Sequence, residues 1–125
     1  MQMHLLKSKL HLATVTDANV NYEGSLSIAR DLASLVGLRE YERILVGNMA
    51  KGQRFETYVI LGPEGAGEII LNGAVAHLGK VGDRLTIMSF GIYTMAEAEI
   101  HQPQVAVLDE RNQVVRLPNE LPVLV

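Results

Sequence analysis

The chain breaks into short runs of aliphatic and β-branched residues, each closed by a turn signal, and that rhythm limits the fold more than any other feature. The runs are Leu5–Val15, Arg43–Met49, Arg54–Leu61, Glu68–Leu71, Arg84–Phe90, Val105–Leu108 and Val114–Leu117. Ala50-Lys51-Gly52-Gln53 joins two of them as a hairpin loop, and residues 62–67 and 109–113 are further turns. Helical spacing is strongest over Leu26–Val36, where Leu26, Ile28, Ala29, Leu32, Leu35 and Val36 mostly recur at three- and four-residue intervals. That pattern predicts a helix capped by Ser25 or Ser27 and ended by Gly37. A second helix is expected over Thr94–His101, stopped by Pro103, and a single turn over Ala74–Leu78. The expectation is a mainly β fold, a small barrel with a few short helices, because closure removes the sheet edges that a small β protein must otherwise protect.

At 125 residues the chain is one domain's worth, 1–125. It has no cysteine, which excludes disulfides, thiolate metal sites and a cysteine nucleophile. A net charge of -3 and a pI near 5.8 argue against nucleic acid as a partner. No apolar run approaches the ~20 residues that span a bilayer, and Met1–Lys7 lacks the features of a signal peptide. The expected setting is the cytoplasm, without a membrane partner. His4, His77 and His101 lack metal-ligand spacing, so no metal is expected.

Chemistry has few places to reside. Tyr22-Glu23-Gly24-Ser25 precedes a predicted helix, and its plain reading is a helix cap. A sharper reading uses the Ser25 hydroxyl as a nucleophile on the Gly24 carbonyl, with Gly24 permitting strained dihedrals and close approach. The peptide would become an ester. Elimination would then cut the chain and leave a dehydroalanine that hydrolyses to a pyruvoyl group. Such a carbonyl could form a Schiff base with an amino acid and act as an electron sink, replacing pyridoxal phosphate.

Period two puts Arg54, Glu56 and Tyr58 on one strand face. Arg54 could grip a carboxylate bidentately and Tyr58 could donate a proton, or both could simply decorate a solvated face. Strict alternation places Thr57 on the opposite face. One site using all three needs the strand to end or bulge there, or adjacent subunits each using one face. Asn72-Gly73-Ala74-Val75 could bring backbone N–H groups close to a ligand, or be a tight turn. Lys9 and His11 share a strand face and could form a basic pair, or be exposed alternation.

These places, in this order, resemble the bacterial pyruvoyl-dependent aspartate 1-decarboxylases. The matching stretches are Lys9-Leu10-His11, Val15-Thr16, Tyr22-Glu23-Gly24-Ser25, Asn48, Gly52 with Arg54-Phe55 and Thr57-Tyr58, Asn72-Gly73-Ala74 with Ala76-His77, and Val81-Gly82-Asp83, over residues 1–115. The resemblance implies a double-psi β-barrel, a homotetramer with sites at subunit interfaces, and self-cleavage between Gly24 and Ser25 into chains 1–24 and 25–125. It implies conversion of L-aspartate to β-alanine for pantothenate biosynthesis, with a covalent pyruvoyl group derived from Ser25 as the cofactor. Tyr58 then matches the proton donor, and Lys9 and Arg54 match the residues that hold substrate carboxylate. Thr57 matches a residue for both substrate binding and processing. Asn72, Gly73, Ala74 and Val75 match the remaining substrate wall, and Tyr22 and His11 match supports of the cleavage site. Gly47 departs from relatives that carry a large aromatic residue there. Some relatives need a separate maturation protein, on which no residue here bears. Two other readings share much of this sequence: a non-catalytic β-barrel binding module, and a pyruvoyl decarboxylase of another amino acid.

Overall fold

A computed structural model describes residues 1–118. Its strands are β1 (Gln2–Thr14), β2 (Asp17–Asn19), β3 (Ser25–Ala29), β4 (Arg43–Asn48), β5 (Arg54–Gly62), β6 (Ile69–Asn72), β7 (Arg84–Thr94), β8 (Gln104–Leu108) and β9 (Val114–Arg116). Helix α1 (Arg30–Leu35) follows β3, a 3-10 helix (Gly73–Leu78) follows β6, and α2 (Met95–Ile100) follows β7. The strands form one sheet in the order β2-β6-β3-β5-β4-β7-β1-β8-β9. Val15 and Thr16 link β1 directly to β2 and hydrogen-bond the carbonyls of Asp83 and Ile69 at 2.9 and 2.8 Å. These two bonds bring the end of β1 back beside β6, a curl consistent with a barrel, and β8 and β9 extend the sheet beyond β1.

Alternation explains the core. Ile44 and Val46 of β4, Ile87 and Leu85 of β7, Leu10 of β1, Val59 of β5, and Ile69 and Leu71 of β6 face inward and are almost wholly buried. Burial of each such side chain contributes about 1.5–3 kcal/mol before conformational entropy is subtracted. The alternate residues of the same strands face outward, and the candidate site residues of β1 and β4 stand among them.

The predicted helix over Leu26–Val36 is corrected in its first half. Residues 25–29 are a strand, held by β5 on one side and β6 on the other. Leu26, Ile28 and Ala29 are all buried. Ser25 and Ser27 alternate with Leu26 and Ile28 as a strand should, but β3 runs straight into α1, so its apolar residues join those of the helix in one apparent helical stripe. Ala29 occupies the N-cap of α1 and makes no side-chain cap bond, so neither Ser25 nor Ser27 caps it. Gly37 does follow α1, with φ +75°. Strand β2 went unanticipated because three residues, Asp-Ala-Asn, carry no β signal. Helix α2 forms with a reciprocal Thr94–Glu97 capping box, and the 3-10 turn supplies the expected one after Asn72.

Two register shifts interrupt β1, at Lys7 and Leu12. The Lys7 ammonium turns to the Gly37 carbonyl at 2.6 Å and to Glu42 at 3.1 Å, fastening the end of α1 to β1. Leu12 adopts φ +66°, a left-handed backbone that costs a branched residue roughly 1–2 kcal/mol. Arg84 accommodates the bulge by donating Nε to the Leu12 carbonyl at 3.0 Å. A bulge beside a functional position commonly re-aims its side chain; the one here follows His11.

Candidate active site

The first cluster forms where β3 begins. Ser25 pairs with Asn72 across the β3–β6 ladder and is only 4% exposed. Asn72 Nδ2 donates to Ser25 Oγ at 3.1 Å and to Ser27 Oγ at 2.9 Å. Asn72 Oδ1 is buried without a hydrogen-bond partner among the described residues. A buried, unpartnered acceptor is costly, on the order of 1–3 kcal/mol, and marks a place prepared for a donor from elsewhere. The β3–β5 register sets Leu26 beside Val59, and one residue back along both strands it sets Ser25 beside Tyr58. Ser25, Asn72 and Tyr58 thus stand together on the outer face.

Gly73 fixes this cluster. Its φ is +72°, and a Cβ there would lie 2.7 Å from Gly24 N and Cα and 2.8 Å from the Tyr22 carbonyl oxygen. The segment before Ser25 therefore lies directly on the Gly73 backbone. Gly24 and Gly73 thus approach each other backbone to backbone. A Cβ on Gly24 would itself point into open space, and Gly24 does not take a left-handed φ. Val75 lies buried in the turn that follows, whereas Ala74 and the Tyr22 ring are exposed.

The second cluster is a row across the sheet. Arg54 of β5 pairs with Gly47 of β4, Gly47 with Thr86 of β7, and Thr86 with His11 of β1. His11 Nδ1 lies 3.3 Å from Thr86 Oγ1. Lys9 shares this outward face two residues from His11, next to Met88. Gly47 has no atom within 4 Å of where a Cβ would stand, so it leaves a notch between Arg54 and Thr86. Glu56 shares the face of Arg54 but is held by Arg43 through Nε at 2.9 Å. Among the described residues, neither Lys9 nor Arg54 has a carboxylate at ion-pair distance. Burial, then the positive charges of Lys9, Arg116 and Arg84, lower the His11 pKa below its usual 6.5. The imidazole is neutral at pH 7.

Within one chain the two clusters stay apart. Arg54 and Tyr58 share β5, but four residues of strand separate them by about 13 Å. His11 lies three strands from Arg54, about 14 Å. Thr57 faces inward opposite Ile44, and β5 pairs with β4 over 54–58 without a bulge. Of the ways to bring Thr57 and Arg54 to one site, an end or a bulge of the strand at that point is excluded.

Sequence reasoning gave Thr86 no place in the row. Its signal was a polar residue at the outward period of the apolar run Arg84–Phe90. Asn48 and Asp83 matched the family without a stated role. Both are buried, and Asn48 Nδ2 donates to Asp83 Oδ2 and to the Leu78 carbonyl, each at 3.0 Å. Asn48 Oδ1 accepts from Ala50 N at 2.9 Å. The pair ties the β4–β5 hairpin to the turn behind Asn72.

Comparison with known proteins decides what this arrangement belongs to. The family model described as "Aspartate decarboxylase" matches residues 1–115. The chain belongs to the aspartate decarboxylase family. Aspartate 1-decarboxylase of Pseudothermotoga lettingae is 53% identical over 113 residues, covering 90% of this chain and 96% of its own. That of Caldicellulosiruptor saccharolyticus is 47% identical over 120 residues, 96% of this chain and 94% of its own. That of Cellvibrio japonicus is 46% identical over 125 residues, 100% of this chain and 99% of its own. As a family member, the chain carries its serine cluster and its cation row inside the matched region; of their residues only Thr86 had no mention from sequence, and Ser27 was named only as a cap. No helix among the described residues is long and apolar enough to cross a membrane.

Proposed function

We propose that this chain is a self-processing, pyruvoyl-dependent carboxy-lyase that converts L-aspartate to β-alanine and carbon dioxide. The observation that carries the reading is Ser25: buried at a strand start, hydrogen-bonded by Asn72 and set in register with Tyr58. Family membership supplies the reaction class.

Processing begins with attack of Ser25 Oγ on the Gly24 carbonyl carbon, which moves the acyl group from nitrogen to oxygen. Elimination breaks the Ser25 Cβ–Oγ bond, frees the Gly24 carboxylate and leaves dehydroalanine. Water then replaces the nitrogen, ammonia departs, and chain 25–125 starts with a pyruvoyl group. The residues present fit that group. Asn72 keeps beside it a buried acceptor with no partner among the described residues, and Gly73 lets the backbone lie close. When formed, the group supplies an electrophilic carbonyl that accepts the substrate amine and draws electrons from the breaking carbon–carboxylate bond. Tyr58 is placed to return a proton to the carbon that loses carbon dioxide. Arg54 and Lys9 hold substrate carboxylate, with Arg54 suited to a bidentate grip. Thr57 and His11, with Tyr22, support cleavage, and Gly73, Ala74 and Val75 line the substrate wall.

A double-psi barrel assembled as a homotetramer in the cytoplasm completes the proposal. Its support is geometric: the serine cluster and the cation row are too far apart within one chain to act on one small molecule. Two copies facing each other would complete both sites. The outer sheet face also carries exposed Phe90 and Ile92 beside a hollow of about 460 Å³ lined by Leu45 and Met88, a surface suited to burial against another copy.

A denaturing mass spectrum of the matured protein tests the reading directly. Two chains, 1–24 and 25–125, are expected, with release of carbon dioxide from L-aspartate. Turnover by a single intact chain would overturn the pyruvoyl mechanism. Intact protein that binds acids without releasing carbon dioxide would favour a binding module, and preference for another acid in a substrate panel would change the substrate.

A further inference from the structure

The row that runs through Arg54, Gly47, Thr86 and His11 does not stop at β1. The β1–β8 ladder sets Val107 beside His11, and the β8–β9 ladder sets Arg116 beside Val107. Residues paired across a ladder share a face. Arg116 therefore stands on the same side of the sheet as His11, about 10 Å away across two strand spacings. It is half-buried although its neighbours Val114 and Val115 are exposed.

Its charge has no structural employment among the described residues. The ion pairs there engage Lys7, Arg43 and Arg84, not Arg116. Arg84, the other cation near His11, is already committed. It donates to the carbonyls of Leu12 and Leu108 at 3.0 and 2.8 Å and lies 3.6 Å from Glu110. The charge of Arg116 reaches His11 and disfavours its protonation alongside Lys9. In a chain of net charge -3, cations without carboxylate partners gathered on one face call for an anion from outside.

We propose that Arg116 is a further substrate-binding residue, forming with Lys9 a cationic rim that receives a carboxylate of the acidic amino acid. The proposal rests on the decarboxylase reading and deepens it. A substrate with two carboxylates must keep one anchored while the other leaves. Long cationic side chains at the rim both concentrate the dianion and hold the end that does not react.

Two measurements test this on the full, matured protein. In steady-state kinetics, Arg116→Gln should raise KM for L-aspartate roughly tenfold, as expected for one lost charge-assisted contact, with kcat within about twofold. Arg116→Lys should recover most of the loss. Arg111→Gln, an equal charge change on the exposed 109–113 turn, should leave KM unaltered. In calorimetric titration with succinate, a dianion lacking the amine, Arg116→Gln should weaken binding by a similar factor whether or not the protein turns over. Wild-type protein that binds succinate but releases no carbon dioxide would sink the decarboxylase reading and leave the rim standing. Unchanged KM and succinate affinity in Arg116→Gln, equal losses in Arg111→Gln, or no succinate binding to the wild type would each overturn the role of Arg116.

Discussion

The start of β3 and the outer face of β1, β4 and β7 solve opposite problems. At β3, short neutral side chains are held by backbone. Ser25, Ser27 and Asn72 are within hydrogen-bond distance, and Gly73 lies against Gly24. On the outer face, long cationic side chains are spread over several strands around the Gly47 notch, with no carboxylate partner for Lys9 or Arg54 among the described residues. Covalent chemistry on the chain itself demands atoms fixed to a fraction of an ångström. Recognition of a charged solute tolerates flexible side chains and gains from an open approach. Strand β5 belongs to both regions. Its first half pairs with β4 and carries Arg54, its second half pairs with β3, and Tyr58 stands at the changeover.

The difference can be broken most severely at Ser25. Ser25→Ala removes the attacking hydroxyl, so the chain should remain one piece by mass and release no carbon dioxide from L-aspartate. The outer face should be untouched, and the variant should keep its affinity for succinate. Loss of succinate binding would show that the two regions are not separable. Tyr58→Phe comes next. It should be cut normally but turn over about a hundredfold or more slowly, the usual range for loss of a positioned proton donor. Cutting and turnover that fall together would place Tyr58 in processing instead.

A pair of glycines makes the contrast quantitative. Gly73→Ala puts a Cβ against backbone atoms of residues 22 and 24 at a left-handed φ, where little can give. In the uncut Ser25→Ala background it should lower stability by about 2–4 kcal/mol in urea unfolding, and in the wild type it should slow cutting. Gly47→Ala meets no atom within 4 Å, and Gly47 has no left-handed φ. Its stability should stay within about 0.5 kcal/mol. Equal losses at the two positions would contradict the assignment of close approach to one region and open space to the other.

The two regions also differed in how far their residues could be read from sequence. The outer row was half legible, because period two on β1 and β5 fixes which of Lys9, His11, Arg54 and Tyr58 share a face. What period two cannot give is register between strands distant in sequence, so the placement of Gly47 and Thr86 between Arg54 and His11 stayed hidden. The serine region was read through its residues while its element was misread. Leu26, Ile28 and Ala29 look helical because β3 runs directly into α1 and their spacing continues into Leu32, while the helix begins only at Arg30. Gly73 was noted for its smallness, but the surface that needs it, the 22–24 segment, is about fifty positions away in the chain. The alternation that set Thr57 apart from Arg54 was legible from the start, and the unbroken β4–β5 register upholds it.

The smallest expected effect lies at His11, and its sign separates a solvated decoration from a member of the cation row. Its pKa is lowered first by burial and then by Lys9, Arg116 and Arg84. A free imidazole in the unfolded chain takes up its proton near pH 6.5, whereas the folded protein resists protonation until lower pH. Between those two values the unfolded state binds more protons, so stability rises with pH there and is lost as pH falls from about 6.5 toward the folded value. Above pH 6.5 both states are neutral at His11, and the residue adds no slope. Histidine resonances followed through an acid titration should therefore place the His11 midpoint below the usual 6.5. Lys9→Met should move the His11 midpoint upward but not fully restore it, because burial remains. Arg116→Gln should move it in the same direction. A midpoint at or above 6.5 in the wild type would mean that the imidazole is solvated and its neighbours are pointing elsewhere. A depressed midpoint that ignores both substitutions would leave burial as its whole cause and remove the electrostatic link between β1 and β9.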